Sequence, residues 1–235
     1  MISSALRLAG AALLVLLGVW AGAWVYLHHR TALPTAGVRV AAGHASAPNP
    51  GDFVAPEVAA GALPPGKIPD RLPQFSLGDR DGHATPISAF AGKSLVINFW
   101  ATWCAPCRKE MPLLQALHSE WADRGMSVIG IAVDYRDKVL EYADRLKIAY
   151  PLLIGEQDAL DVAAKFGVDS PVFPFTVFTD RRGEVVALFI GELHRPQAEL
   201  ILGAVQNLDK GLIELPAARQ AIAEGLRSLK DANAT

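Results

Sequence analysis

The sequence predicts an α/β fold, in which a central mixed sheet carries helices on both faces. Two apolar segments, SLVINFW (94–100) and MSVIGIAVD (126–134), are typical of strands buried in the middle of a sheet. Between them, apolar residues recur at three- and four-residue steps, which predicts a helix. A strand–helix–strand–helix order, followed by a hairpin and a closing helix, gives such a mixed sheet.

The other elements follow from the same signals. The segment FSLGDRDGHATPI (75–87) predicts a hairpin that turns at Asp81 and Gly82. An Arg-Arg-Gly turn joins the last two strands. The predicted elements after strand 94–100 are a helix with Met111, Leu114, Leu117 and Trp121 on one face, strand 126–134, helix 138–148, strand 151–155, helix 159–168 ending at Gly167, strands 174–180 and 184–191, and helix 195–208.

The overall composition excludes several classes of protein. The chain has 235 residues and a net charge of −2, with no basic stripe that would follow a phosphate backbone, so we expect no nucleic-acid partner. It contains 2 cysteines, which are too few for the disulfide framework of a small secreted domain. A length of this order suggests one folded domain with attachments.

The first thirty residues predict a transmembrane anchor (1–30). The uncharged run from Leu8 to Leu27 is about twenty residues long, enough to cross a bilayer as a helix. Trp20, Trp24 and Tyr26 cluster toward its second end, where aromatic rings favour the membrane interface. The alternative is a cleaved signal peptide, for which Ala21 and Ala23 have the required small side chains.

The remaining segments complete the predicted organisation. Residues 31–66 are rich in Ala, Pro and Gly and predict a flexible linker. Residues 67–208 form the predicted folded domain, and 209–235 form a C-terminal helical extension of weak amphipathic character. An N-terminal anchor with a short basic start favours a single-pass protein of the inner membrane, with its domain facing the periplasm.

Both cysteines lie in WCAPC, and their spacing leaves few structural roles. A structural zinc site needs four ligands, and the six histidines do not supply a pair within the predicted domain. Covalent haem attachment requires a histidine after the second cysteine, where Arg108 stands. A bridge from Cys104 to Cys107 closes too small a loop to stabilise the fold by much.

A redox role fits the surroundings of the pair. Cys104 falls where a buried strand ends and a helix begins, so unpaired N–H groups would favour its thiolate. Arg108 and Lys109 add positive charge in the first turns. Cys107 lies one turn further on, where it can resolve a mixed disulfide. Pro106 is compatible with a first helical turn, because its missing N–H has no partner there.

The segments NFWATWCAPCRKEMP (98–112) and VFPFTVFTDRRGEV (172–185) resemble those of the TlpA/ResA-like membrane-anchored thioredoxin-like proteins. The resemblance covers roughly residues 68–208 and implies a thioredoxin fold. It also implies that Trp103 and Pro106 shape the active site and that Pro174 is a cis-proline facing the disulfide. Phe173 would then offer backbone groups to an extended substrate segment. An ordinary proline at a strand start is the alternative for Pro174.

The resemblance assigns a proton-transfer role to Glu110, three residues after Cys107. In the resembling group a glutamate there serves as proton acceptor and donor for the buried thiol, which must ionise before it attacks. Cytoplasmic thioredoxins have a buried aspartate at the position of Asn98. Unlike that aspartate, the amide of Asn98 cannot accept and release a proton. The alternative for Glu110 is a carboxylate exposed on the helix surface.

The function implied is that of a thiol–disulfide oxidoreductase. The usual direction in the group is reduction, with substrates that include apocytochromes c and electrons from a membrane reductase. Neither an organic cofactor nor a metal is implied. The alternatives are a disulfide oxidant or isomerase, a peroxide-reducing enzyme, and a non-catalytic assembly module. The absence of histidine between the cysteines favours a reductant, and a peroxidase would need a cysteine in another loop setting.

Overall fold

A computed structural model describes Trp24, residues 68–168 and residues 172–233. The predicted anchor (1–30) and linker (31–66) therefore lie, apart from Trp24, outside the described residues. Among the residues described, no helix combines the length and the apolar character that crossing a membrane requires.

The described part of the chain contains seven strands and five α-helices in the predicted order. The helices predicted at 138–148 and 159–168 each begin two residues before the predicted start, and they end two and three residues early because of the backbone conformation there. For example, Lys147 adopts a left-handed φ of 53°. The strands are β1 (Ser76–Gly78), β2 (Ala84–Pro86), β3 (Ser94–Trp100), β4 (Met126–Val133), β5 (Leu152–Gly155), β6 (Phe175–Thr179) and β7 (Val185–Ile190). The helices are α1 (Ala105–Trp121), α2 (Arg136–Leu146), α3 (Gln157–Lys165), α4 (Arg195–Asp209) and α5 (Leu215–Asn233).

One mixed sheet contains all seven strands, in the order β2-β1-β5-β4-β3-β6-β7. Strand β3 is parallel to β4 and antiparallel to β6, and its register places Asn98 beside Gly130 on one side and Thr176 on the other. Strand β4 is also parallel to β5. The crossovers between these parallel strands are helical, as parallel pairing requires.

Helices cover both faces of the sheet, as predicted. Helices α1, α2, α4 and α5 pack on one face, with side chains such as Leu114 and Ile201 fully buried. Helix α3 and the 3₁₀ turn Ile87–Phe90 pack on the other face. Because side chains alternate along a strand, Val96, Asn98 and Trp100 of β3 project toward the α1 face. This alternation directs the polar amide of Asn98 toward α1, the helix that follows Cys104.

The C-terminal segment forms a long helix that packs on the domain. Ala218 and Ile222 of α5 are buried against α4 and β7. A methyl group added at Gly225 would lie 2.6 Å from a methyl carbon of Leu200, so the glycine permits close approach of the two helices. The weak amphipathic pattern of 209–235 therefore corresponds to a helix with a buried stripe.

The first residues of β7 at the edge of the sheet are already hydrogen-bonded. The N–H of Val185 donates to the carbonyl of Asp70 at 2.9 Å, and the N–H of Leu72 donates to the carbonyl of Gly183 at 2.8 Å. The guanidinium of Arg219 donates to the carbonyl of Val185 at 2.7 Å. A short N-terminal segment and a side chain from α5 thus share this edge.

Candidate active site

The two cysteines form a disulfide where β3 ends and α1 begins. Cys104 is the N-cap of α1, and its sulfur accepts a hydrogen bond from the N–H of Cys107 at 3.2 Å. Cys104 is 6% exposed and Cys107 is fully buried, so the first sulfur is the one closer to solvent. Pro106 lies in the first turn of the helix. On reduction, the helix N-terminus would stabilise a thiolate at Cys104.

The loop that carries Cys104 is held by a carboxylate from the end of β4. The N–H of Thr102 donates to Oδ2 of Asp134 at 3.0 Å, and its hydroxyl donates to the same oxygen. Arg108 donates to the carbonyl of Thr102 at 2.9 Å. Sequence reasoning did not find Asp134, although its position just after a central strand at the same sheet edge is a usable signal. Arg108 also fixes the loop, in addition to supplying charge.

Trp103 and Phe173 lie together beside the disulfide loop. Trp103 is 64% exposed, and its ring meets that of Phe173 edge-on at 6.0 Å between centroids. The Phe173–Pro174 peptide bond is cis, as the resemblance implies, and Pro174 is buried. The carbonyl of Pro174 accepts from the N–H of Gly191 at 2.8 Å. The exposed indole and the half-buried phenyl ring make an apolar surface on which a protein segment can rest.

Glu110 is buried inside the domain, which excludes the alternative of an exposed helix carboxylate. Its residue is 2% exposed. Oε1 accepts from Nδ2 of Asn98 at 2.7 Å, and Oε2 accepts from the N–H of Leu193 at 2.7 Å. Burial, with a smaller contribution from the nearby charge of Glu192, raises the pKa of Glu110 to about 8 against the lowering effect of these two hydrogen bonds. The carboxyl therefore retains its proton at neutral pH in this oxidised state.

Residues from three other elements complete the surroundings of Glu110. Asn98 also donates to the hydroxyl of Thr176 on β6 at 3.0 Å. The hydroxyl of Tyr150 donates to the sulfur of Met111 at 2.9 Å. Burial, followed by the charge of Glu110, raises the pKa of Tyr150. Sequence reasoning missed Thr176, Tyr150 and Leu193, because each acts from a distant part of the chain.

One group of side chains among the described residues has the composition of a metal site. Ligand atoms of Asp79, Asp81 and His83 lie within 4.8 Å of one another in the β1–β2 turn. The carboxylate of Asp79 already accepts hydrogen bonds from the N–H groups of Asp81 and His83 and from the hydroxyl of Thr85. Turn formation therefore accounts for their proximity.

Comparison with known proteins agrees with this geometry. Residues 68–188 match the AhpC/TSA family. The chain is 30% identical over 135 residues to the thiol-disulfide oxidoreductase ResA of Geobacillus kaustophilus, which covers 57% of this chain and 75% of that protein. It is 32% identical over 133 residues to the thioredoxin-like protein YneN of Bacillus subtilis, with 55% and 75% covered.

A solved structure shows the same fold. The crystal structure of a secreted thiol-disulfide isomerase from Corynebacterium glutamicum superposes with a TM-score of 0.51 at 24% identity, covering 72% of this chain and 96% of that one. The mixed sheet with helices on both sides is thus a thioredoxin fold. The disulfide at the end of β3, the domain match and the relatives agree, and the chain belongs to the AhpC/TSA family, among the thioredoxin-like thiol–disulfide oxidoreductases of the ResA type.

Proposed function

We propose that this protein reduces disulfide bonds in extracytoplasmic protein substrates, with apocytochromes c among them. The observation that carries the proposal is the buried carboxyl of Glu110, one helical turn beyond the buried Cys107. A carboxyl at that place can accept the proton that Cys107 must lose before it attacks the mixed disulfide. The segment Ala105-Pro106 between the cysteines contains no histidine that would favour an oxidant, which supports the reductive direction.

The chemistry runs in two steps. The Cys104 thiolate attacks one sulfur of the substrate disulfide, so that a mixed disulfide forms and the other substrate sulfur leaves as a thiolate that takes a proton from water. Cys107 then gives its proton to Glu110 and attacks Cys104. The second substrate sulfur leaves as a thiolate that takes a proton from water, two electrons have passed to the substrate, and the Cys104–Cys107 disulfide remains.

The oxidised structure fits the end of this cycle. A pKa of about 8 leaves Glu110 protonated at neutral pH, which is the state expected after it has received the proton of Cys107. When an electron donor reduces the disulfide again, Glu110 returns that proton to the leaving sulfur of Cys107. Trp103, Phe173 and cis-Pro174 provide the surface against which the substrate segment lies.

The cellular setting belongs to the same proposal. The apolar segment 8–27 anchors the protein in the inner membrane as a single span, and the domain faces the periplasm. Electrons come from a membrane reductase. The sulfur pair carries both electrons itself, so the proposal includes neither a metal nor an organic cofactor.

The direction of transfer is tested by the reduction potential of the Cys104–Cys107 pair, measured by equilibration in dithiothreitol or glutathione buffers. A value of about −250 mV or lower supports a reductant, whereas a value near −120 mV is that of a strong oxidant. The higher value would overturn reduction and favour the oxidant alternative.

Covalent exchange itself is tested by trapping. A Cys107→Ser variant retains the attacking sulfur and should accumulate a mixed disulfide with substrate proteins on Cys104. Cys104→Ser is the matched control and should trap far less, since the sulfur that it keeps is buried. Equal trapping by both variants, or none, contradicts the assigned order of attack.

A further inference from the structure

A cleft open to solvent separates α1 from the loop between β7 and α4, with Glu110 at its inner end. Its volume is about 360 Å³. Glu192 lies at this cleft with its side chain 24% exposed, and its neighbour Leu193 donates directly to Glu110. The cleft is also lined by the charged or titratable residues Lys109, His194 and Arg195.

We propose that protons reach and leave Glu110 through this cleft, and that Glu192 is a positioning residue whose charge favours the protonated carboxyl of Glu110. This inference rests on the proposed function, because it concerns the proton of the same exchange reaction. Glu110 gives its own proton to water in the cleft before it accepts the proton of Cys107, and it regains a proton from that water whenever it is left ionised.

The position of the cleft separates proton exchange from substrate binding. None of Trp103, Cys104 and Phe173 lines the cleft. A protein segment confined to Trp103 and Phe173 would therefore touch none of the residues that line the cleft. Glu110 can then exchange its proton with water while a mixed disulfide occupies Cys104, which is the moment at which the resolving step requires it.

The charges around the cleft define the role of Glu192. Its carboxylate lies 4.0 Å from Nζ of Lys109 and 3.9 Å from Nδ1 of His194. Arg195 is paired with Glu120 and Glu199. From the interior, Glu110 faces the uncharged Asn98 and Tyr150, so Glu192 is the negative charge that acts on it directly.

The charge effect is tested in the oxidised full-length protein by titrating the side-chain carboxyl of Glu110 with ¹³C NMR. Glu192→Gln should shift the Glu110 titration to lower pH by about half a unit to one unit. Glu192→Asp, which keeps the charge, should restore most of the wild-type midpoint. Glu224→Gln, on the exposed surface of α5, is the matched control and should leave it unmoved. An unmoved midpoint in Glu192→Gln, or an equal shift in the control, overturns the assignment.

The route is tested by covering the cleft. His194→Trp places a large ring at the mouth from a side chain that is 60% exposed, without entering the core. We expect resolution of a mixed disulfide with 2,2′-dithiodipyridine to slow several-fold, while the first attack by Cys104 keeps its rate. Ser119→Trp, exposed on α1, is the control. Unchanged resolution in His194→Trp overturns the route. The NMR titration needs no substrate, so a failure of the reductase proposal would not be mistaken for a failure of this one.

Discussion

The amide nitrogen of Asn98 lies 2.7 Å from Oε1 of Glu110, and both residues are almost completely buried. The neutral amide of Asn98 thus lies beside α1, at a place where a second acidic side chain would compete with Glu110 for a proton. Asn98 can orient Glu110 and stabilise its charged form, but it cannot titrate. In the proposed mechanism, proton transfer at the buried sulfur of Cys107 therefore uses one carboxyl group, and the neighbours of Glu110 set its pKa.

Replacing Asn98 by Ala should raise the pKa of Glu110 above its value of about 8, because the hydrogen bond that favours the charged carboxylate is lost. The loss of a buried donor should also lower the free energy of unfolding by about 1–3 kcal/mol. Carbon-13 NMR titration and urea unfolding measure the two effects. Thr176→Val, which removes only the other acceptor of Asn98, is the control and should leave the titration nearly unchanged.

Glu110→Gln should change how stability depends on pH. The folded-state pKa of about 8 lies above the ordinary value of 4.5 for a glutamate side chain, so the folded protein binds this proton more tightly than the unfolded chain does. The resulting stabilisation is complete below pH 4.5 and is lost as pH rises through 8, with a full difference on the order of 5 kcal/mol.

The variant should therefore lack this decline and exceed the wild type in stability at alkaline pH. Urea unfolding of both oxidised proteins from pH 4 to 9 measures the difference. The new amide can be accommodated if Asn98 turns over, because Oδ1 of Asn98 has no hydrogen-bond partner among the described residues. Parallel curves for the two proteins would show that Glu110 ionises without a folding cost.

The contact between Thr102 and Asp134 should contribute to the stability of the redox loop. Asp134→Ala leaves two N–H groups and a hydroxyl without their acceptor and should cost about 2–3 kcal/mol of unfolding free energy. Thr102→Val removes one donor and should cost about 1 kcal/mol. Thermal and urea unfolding measure both. The exposed Asp231→Ala serves as the control, and equal effects at all three positions would contradict a specific role for Asp134.

Two helical glycines should respond in opposite ways to substitution by alanine. Gly225→Ala on α5 places a methyl 2.6 Å from a carbon of Leu200, so the Leu200 side chain or one helix must move, and we expect a loss of about 1–3 kcal/mol. Gly203→Ala on α4 meets no heavy atom within 4 Å and should gain about 0.5–1 kcal/mol through its better helix propensity. Urea unfolding compares the pair. A gain at Gly225 would mean that α5 does not pack closely on α4 in solution.

The sequence allowed the centre of the fold to be predicted because its signals are local. Strands β3 and β4 are uninterrupted apolar runs, and the cysteine pair follows the first of them directly. The spacing from Cys107 to Glu110 put both on one face of a single helix, which needs no knowledge of the rest of the chain. Burial of that face then followed from the apolar residues that share it.

The contacts that tune the site were not predictable in this way. Asp134 meets Thr102 only because β4 lies beside β3 in the sheet. The order of strands cannot be predicted from the sequence of either strand alone. Leu193 contributes a backbone N–H, and its side chain gives no indication of that role because nearly every residue type has such a donor. The cleft beside Glu192 depends in the same way on where the β7–α4 loop passes over α1.

The pairing of Asp70 with Val185 has a consequence for self-association. An exposed edge strand can pair with the same strand of another molecule, and such intermolecular pairing leads to aggregation. Here the outward N–H and carbonyl of Val185 are already occupied, by Asp70 and Arg219. A second copy would have to displace both before it could extend the sheet from that point. The segment around Asp70 and helix α5 therefore both hinder the addition of a further strand at Val185.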